Sequence, residues 1–287
     1  MIRIGPAGWD YKDWEGVVYP PGLKGADRLA FLAELFDLVE VNVTFYRPVE
    51  ARLTQRWVDA VSRFPEFRFP AKLLNVFTHE RRLPEDLLRQ FQDGLRPLQE
   101  AGRLGALLAQ FPYSFHNTEE NRVYLLDLKG EFPDFPLALE VRHRSWQSRT
   151  MEEFLRLTGY DFCNIDQPLV SYPMGRTAWV TGPRAYLRAH GRRKETWFEF
   201  KDDRQARYDY LYPPEELAEL ADRARSLADR APEVYVVFNN HPAGQAVANA
   251  LELSHLLAGR TFTLPHVLLA AFPDLQALTT RSEPPPA

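Results

Sequence analysis

The sequence predicts a (β/α)8 barrel on the basis of two observations. Short apolar segments of strand length recur eight times, and most are separated by segments of helical periodicity, over about 250 residues. No linker or composition break divides the chain, so we expect a single domain over residues 1–279, followed by a disordered tail at 280–287. A doubly wound open sheet is the alternative, but Gly5-Pro-Ala-Gly8 lacks the GxGxxG spacing of its phosphate-binding loop.

The predicted elements follow from the period of the apolar residues. The eight strands are predicted at residues 2–8, 38–44, 68–74, 105–111, 137–142, 161–166, 185–190 and 233–239. Helices are predicted at 26–36, 50–64, 85–101, 118–129, 150–158, 214–231 and 243–257. Residues 167–183 are rich in Gly and Pro, which predicts one irregular crossover after the sixth strand. A long loop from Gly191 to Tyr212 is predicted after the seventh.

Polar residues alternate with apolar ones in several predicted strands, and a barrel turns one face of each strand inward. This alternation predicts Cys163 and Ile165 facing the helices and a charged interior. The predicted interior residues are Glu40, Asn42, Thr44, Lys72, Gln110, Glu140, Arg142, Asn164, Asp166, Tyr186, Arg188 and His190. Most of them lie toward the carboxyl ends of their strands, which is where the active sites of barrels are found.

Motifs along almost the whole chain carry a family resemblance. They are Gly8-Trp-Asp-Tyr-Lys-Asp-Trp14, Val39-Glu-Val-Asn-Val-Thr-Phe-Tyr-Arg47, Phe69-Pro-Ala-Lys72, Gln110-Phe-Pro112, Glu140-Val-Arg-His-Arg-Ser-Trp146, Tyr186-Leu-Arg-Ala-His-Gly191, Tyr208-Asp-Tyr-Leu-Tyr212 and Phe238-Asn-Asn-His-Pro-Ala-Gly-Gln-Ala246. In these motifs the chain resembles the YecE-like family, also called domain of unknown function 72. The resemblance implies a TIM-type barrel and no defined activity. Likeness of that family to the endonuclease IV and xylose isomerase group of barrels suggests nucleic-acid binding by analogy.

The charged interior predicts a pocket for a small anionic ligand that carries a phosphate or carboxylate. Glu40 and Glu140 are the candidate catalytic acid/base residues, in a hydrolase or an isomerase. Lys72, Arg142 and Arg188 are expected to bind the anion, with Asn42, Asp166 and His190 orienting it. The alternative is a charge-balanced plug that only fixes strand register.

Two further groups are predicted to contact the ligand. Trp9 and Trp146 follow the first and fifth strands and could stack on it, although packing of the barrel rim explains them equally well. Asn239, Asn240 and His241 precede the last helix, where a polar ligand or a simple helix cap would use them.

No cofactor and no metal site are predicted. Cys163 is the only cysteine, so a zinc site built from cysteines is excluded, and no HExxH motif is present. A divalent metal on Glu40, Glu140, Asp166, His190 and His241 is the weaker alternative to neutralisation of the acids by lysine and arginine.

Net charge and hydropathy limit the partners. The net charge of −4 argues against binding a polyanion over the whole surface, so nucleic acid would need a local patch. The segment from Gly191 to Tyr212 interleaves basic and aromatic residues, which suits either single-stranded nucleic acid or a lid over the pocket. No apolar run of about 18 residues and no signal-peptide pattern is present, so we expect a cytoplasmic protein without membrane contact.

Overall fold

The computed structural model describes residues 1–194 and 206–280 as an α/β fold around a curled parallel sheet. Within these ranges the strands are β1 (Ile2–Pro6), β2 (Phe69–Lys72), β3 (Leu104–Gln110), β4 (Leu137–Glu140), β5 (Asp161–Asp166), β6 (Arg184–Ala189) and β7 (Glu233–Phe238). All neighbouring pairs are parallel, in the order β1-β7-β6-β5-β4-β3-β2.

Helices connect most of the strands, as the predicted alternation requires. Those described are α1 (Ala26–Leu35), α2 (Ala51–Ala60), α3 (Asn75–Thr78), α4 (Glu85–Glu100), α5 (Glu119–Glu131), α6 (Arg149–Thr158), α7 (Pro214–Ala228), α8 (Gln245–Ala258) and α9 (His266–Ala271). Local sequence sets their ends. The Ser148 hydroxyl accepts a hydrogen bond from the Met151 N–H at 3.1 Å before α6, and Gly159 ends α6 in the left-handed region.

The prediction of a regular second strand was wrong. Residues 38–41 form only isolated bridges, pairing Glu40 with Ala7 just beyond β1, Leu38 with Arg68 and Val41 with Ala71. The extended conformation ends at residue 42, whose backbone is right-handed helical, and a short 3-10 turn follows at Val43–Phe45. Both edges of the sheet nevertheless contact this segment, so it takes the place in the fold that the eighth strand of a barrel would take.

The assignment of faces on β5 was also wrong. In register with β6, Cys163 lies beside Tyr186 and Asp166 beside Ala189. Cys163 therefore faces the interior, and Asp166 faces α7, where Arg223 binds it. Every residue of β5 is buried. Because a parallel strand is covered on both sides, its polarity pattern does not tell the two faces apart.

Residues 167–183 join β5 to β6 without an α-helix. The predicted loop from Gly191 to Tyr212 includes residues 195–205, which lie outside the described residues, as do residues 281–287 of the predicted tail. Across the described ranges, no helix combines the length and hydropathy that crossing a bilayer requires.

A substitution at Gly5 tests the contact between β1 and residues 38–41. A Cβ at Gly5 would lie 1.9 Å from the Leu38 carbonyl oxygen, so Gly5→Ala must push the two segments apart. We expect the free energy of unfolding to fall by about 3 kcal/mol in denaturant titrations.

Gly130→Ala is the matched control, because a Cβ there meets no atom within 4 Å on helix α5. This substitution should raise the free energy of unfolding by about 0.5–1 kcal/mol. Equal stability of Gly5→Ala and the native chain would show that the contact is not tight.

Candidate ligand-binding cavity

Arg188 of β6 lies between two carboxylates in the interior of the curled sheet. Its Nη2 donates to Glu40 Oε1 at 2.7 Å and its Nη1 donates to Glu140 Oε2 at 2.6 Å, with all three side chains fully buried. The Tyr186 hydroxyl donates to the second oxygen of Glu40 at 2.6 Å. Buried charges are tolerated when opposite charges and hydrogen bonds compensate for lost hydration. We call Glu40, Glu140, Tyr186 and Arg188 the charged floor.

Glu140 has further partners on both of its oxygens. Arg142 donates to Oε1 through Nε at 3.1 Å and Nη2 at 2.9 Å. His190 Nε2 lies 3.5 Å from the same oxygen, and Cys163 Sγ lies 3.8 Å from Oε2.

The protonation state of Glu140 follows from these neighbours. Burial alone would raise its pKa, but the charges of Arg188 and Arg142, with His190, hold the pKa of Glu140 well below its usual value. A carboxylate that stays ionised with both oxygens occupied is poorly suited to move protons near neutral pH. The geometry favours a role for Glu140 in positioning the two arginines.

His190 is neutral in the same interior. Burial, helped by Arg142 and Arg188 and opposed by Glu140, lowers the pKa of His190 to about 3. The Asn239 amide nitrogen lies 3.1 Å from its Nδ1. Because the amide donates to Nδ1, the ring proton resides on Nε2 and faces Glu140.

A cavity of about 650 Å³ opens at the carboxyl ends of the strands. Lys72 and Gln110 end β2 and β3, while Arg142 and Asn239 follow β4 and β7. The basic residues in its lining are Lys72, His79, Arg142, Arg207 and His241. Among the described residues that line it, none is an aspartate or a glutamate.

Lys72 has an unusual environment for a lysine. Within residues 1–194 and 206–280 its amine forms no hydrogen bond or ion pair, and Nζ lies 5.7 Å from the centroid of the Phe45 ring. Burial and then the charge of Arg188 lower the pKa of Lys72, against the opposing influence of Glu40. The alternation of polar and apolar residues predicted that the Lys72 side chain points inward. It did not predict that the amine lacks a hydrogen-bond or ion-pair partner among the described residues.

Arg207 and Tyr208 also line the cavity, and sequence reasoning missed them as individual site residues. The Arg207 guanidinium lies 4.7 Å from the centroid of the Tyr208 ring. Burial raises the pKa of Tyr208, but Arg142 and Arg207, followed by Lys72 and Arg188, reverse that effect and lower it. Both residues belong to the basic and aromatic segment before Tyr212, in which no periodicity singles them out.

Trp9 lines a neighbouring cavity rather than the charged one. That second cavity, of about 400 Å³, includes Leu53 and Trp57, and the Trp9 ring meets Trp57 edge-on at 5.3 Å. Tyr11 and Asn42 line both cavities. The predicted role of Trp9 as a stacking platform would therefore apply only to a ligand that enters the second cavity.

Trp146 and Arg188 do not reach the cavity, contrary to prediction. Trp146 is fully buried, stacks on Phe115 at 5.1 Å and donates its Nε1–H to the Phe115 carbonyl at 2.6 Å. Stacking on a ligand needs an accessible ring face, and that face is covered. Arg188 is fully buried, and its Nη1 and Nη2 bind the glutamates of the floor, so it holds them and not a ligand.

Asp166 lies outside the predicted pocket. It accepts hydrogen bonds from Arg192 at 2.8 and 3.0 Å, from Tyr212 at 3.0 Å and from Arg223 at 3.1 Å. Arg192 follows β6, Tyr212 precedes α7 and Arg223 lies on α7, so Asp166 joins elements outside the interior and cannot orient a ligand inside it.

The three residues after β7 have different surroundings. Asn239 lines the cavity, whereas Asn240 is fully buried and donates to the Tyr210 carbonyl at 2.8 Å and to Asn249 at 2.9 Å. The His241 ring stacks on Tyr11 at 4.5 Å and lines the cavity, and burial lowers its pKa to about 4. Asn240 thus stabilises the fold, while Asn239 and His241 can contact a ligand.

The residues proposed as alternative metal ligands are not gathered around one point. No three His, Cys, Asp or Glu side chains of residues 1–194 and 206–280 are grouped so as to hold a metal ion. Glu40 and Glu140 bind Arg188 instead.

Comparison with known proteins gives the family. The profile of the family described as "Protein of unknown function DUF72" matches residues 3–272. The chain belongs to the DUF72 family. This confirms the resemblance found in the sequence motifs.

Two proteins match this DUF72 protein over most of their own length. The UPF0759 protein YunF of Bacillus subtilis (strain 168) is 31% identical over 274 residues, covering 90% of this chain and 95% of YunF. The crystal structure of a DUF72 family protein from Thermotoga maritima MSB8 is 37% identical, with a TM-score of 0.79 over 90% of this chain and 99% of that one.

A xylose isomerase domain containing protein from Salmonella typhimurium LT2 has a TM-score of 0.51 at 11% identity, covering 83% of this chain and 93% of that one. This similarity shows a TIM-barrel-like fold and nothing about activity.

The charged floor makes a prediction for stability and its dependence on pH. Glu140→Gln removes one charge from a buried ion network, and we expect the free energy of unfolding to fall by about 3–5 kcal/mol near pH 7. Since the folded-state pKa of Glu140 is lowered, its stabilisation is present above its unfolded pKa and is lost as the pH falls through the folded pKa. The difference between variant and native chain should therefore shrink in acid, as denaturant titrations at several pH values would measure.

Glu153→Gln on the exposed face of α6 is the control and should change stability by less than about 0.5 kcal/mol. A cost for Glu140→Gln that is equally small at neutral pH would contradict the assignment of the floor.

Proposed function

We propose that this protein binds a small ligand bearing a phosphate or carboxylate group in the cavity at the carboxyl ends of its strands. The observation that carries the proposal is the cation-rich lining, with Lys72, Arg142 and Arg207 and no acidic residue among the described lining residues. Guanidinium groups bind phosphate and carboxylate with paired, charge-assisted hydrogen bonds. Asn239 and His241 add polar groups that could orient the ligand.

The charges beneath the cavity favour an anion-binding site over a charge-balanced network that only fixes strand register. Two carboxylates, Glu40 and Glu140, meet two guanidinium groups, Arg188 and Arg142, so the network is balanced without Lys72. A structural plug would be complete with those four charges. The additional amine of Lys72, with no acidic partner in the described chain, leaves positive charge available for an anion.

The nucleic-acid alternative has less support from the described residues. Arg192 is bound by Asp166, Glu216 and Glu219, and Arg193 pairs with Asp209 at 3.2 Å. Paired arginines present little net charge to a phosphate backbone. Other basic residues of that segment, Lys194 and Arg207 excepted, lie outside the described residues, and the alternative stays a prediction.

Isothermal titration with inorganic phosphate and with malonate at low ionic strength tests the proposal. Arg142→Gln and Arg207→Gln should each weaken binding about 10- to 100-fold, because each removes a charge-assisted hydrogen bond. Added salt should weaken binding by the native chain, because part of the attraction is between charges.

Arg149→Gln is the matched control, since that arginine lies on α6 with its side chain 91% exposed. It should bind both anions like the native chain. No binding of either anion at low salt, or equal affinities of Arg142→Gln, Arg207→Gln and the control, contradicts the proposal. Salt-sensitive binding of a single-stranded oligonucleotide without binding of the small anions would favour the nucleic-acid alternative.

A further inference from the structure

We propose that Lys72 is a nucleophilic amine that condenses with the aldehyde or ketone group of the ligand. The ligand class is then a small carbonyl compound that also carries a carboxylate or a phosphate, such as an oxo acid or a ketose phosphate. This inference rests on the proposed anion site, since the acidic group places the carbonyl carbon beside Nζ.

The position of Lys72 supports nucleophilic chemistry more than a structural role. It is the last residue of β2 and lines the cavity, and its amine has no hydrogen-bond or ion-pair partner among the described residues. The glutamates that could neutralise it are held by Arg188, Arg142 and Tyr186. A lysine that only balanced charge would contact one of these carboxylates directly.

Its electrostatic surroundings favour the unprotonated amine more than water does. Burial is the largest influence and Arg188 adds to it, so the pKa of Lys72 is lowered although Glu40, Tyr208 and Glu140 oppose the change. Lysine nucleophiles are activated by desolvation and by neighbouring cations in this way. Arg142 and Arg207 line the same cavity, and their guanidinium groups can hold the acidic group of the ligand while Lys72 reacts.

The step balances without an added oxidant or reductant. The Nζ lone pair forms a bond to the carbonyl carbon, and the C=O π electrons move to oxygen, which takes up a proton to give a carbinolamine. The C–O bond then breaks, the C=N bond forms, and both amine hydrogens leave with the oxygen as water. The Tyr208 hydroxyl lines the same cavity and is the group we assign to carry the proton from nitrogen to oxygen.

Lys129 provides an internal control in the same protein. Its Nζ also lies 5.7 Å from an aromatic centroid, that of Tyr160, and burial also lowers its pKa. Lys129 is not among the residues that line the cavity, and the charged groups that act on it are Asp161 and Arg184. A difference in reactivity between the two lysines would therefore come from the cavity rather than from burial alone.

The test is reductive trapping with sodium cyanoborohydride in the presence of pyruvate, glyoxylate or dihydroxyacetone phosphate. Peptide mass mapping should find the reduced adduct at Lys72 at a level about tenfold or more above Lys129, as expected for an amine of lowered pKa beside a bound carbonyl. The labelling by pyruvate and glyoxylate, compared with that by dihydroxyacetone phosphate, shows whether the cavity prefers a carboxylate or a phosphate. Excess inorganic phosphate should compete and reduce the labelling.

Lys72→Arg keeps the positive charge and should retain phosphate binding while the adduct at position 72 is lost. Lys72→Met serves as a second variant, with folding of both checked by circular dichroism. Phosphate binding by the native chain without an adduct from any of the three probes, or equal labelling of Lys72 and Lys129, overturns the inference and leaves the anion site standing. Failure to bind phosphate or malonate overturns the proposed function and this inference together.

Discussion

The interior of this protein depends on one guanidinium group placed between two carboxylates. Arg188 joins Glu40, near one edge of the sheet, to Glu140 at the end of β4, and none of the three side chains is exposed. Because an unpaired charge in such surroundings would be costly, each of the three fixes the position of the other two. The interaction also ties the irregular segment at residues 38–41 to two regular strands.

This arrangement separates the charges that hold the fold from those that can meet a ligand. The glutamates are beneath the cavity and are saturated, whereas Lys72, Arg142 and Arg207 line it. Arg142 belongs to both groups, since it donates to Glu140 and also lines the cavity. A ligand bound by Arg142 would therefore be coupled to the buried network through a single side chain.

Much of this site could be predicted from sequence, and the failures have physical causes. The alternation of polar and apolar residues predicted that Glu40, Lys72, Glu140 and Arg188 lie on the interior face, and the structure has them there. The prediction was possible because each of these polar residues lies between apolar neighbours. Alternation failed on β5, where both faces are covered and burial is uniform.

Other features of the site could not be predicted from the pattern of polar and apolar residues along the sequence. Trp146 follows a strand end, as a ligand-stacking residue would, but its neighbour Phe115 is 31 positions away in the chain. Tyr208 enters the cavity from a segment without strand or helix periodicity. The helical backbone at Asn42 ends the extended segment although valines lie on both sides of it, and valine favours strands.

Asp166 holds together two points of the chain that follows β6. Its Oδ1 accepts from both Arg192 and Tyr212, and the Tyr212 hydroxyl also accepts from the Gly191 N–H at 2.8 Å. Both ends of the intervening stretch are thus tied at one carboxylate, and the entropic cost of bringing them together grows only slowly with the number of residues between them. Doubling the number of residues there would cost only about 0.6 kcal/mol in loop closure. The length and sequence of that stretch, whose Arg207 and Tyr208 line the cavity, can therefore change in evolution at little cost to the stability of the barrel-like body.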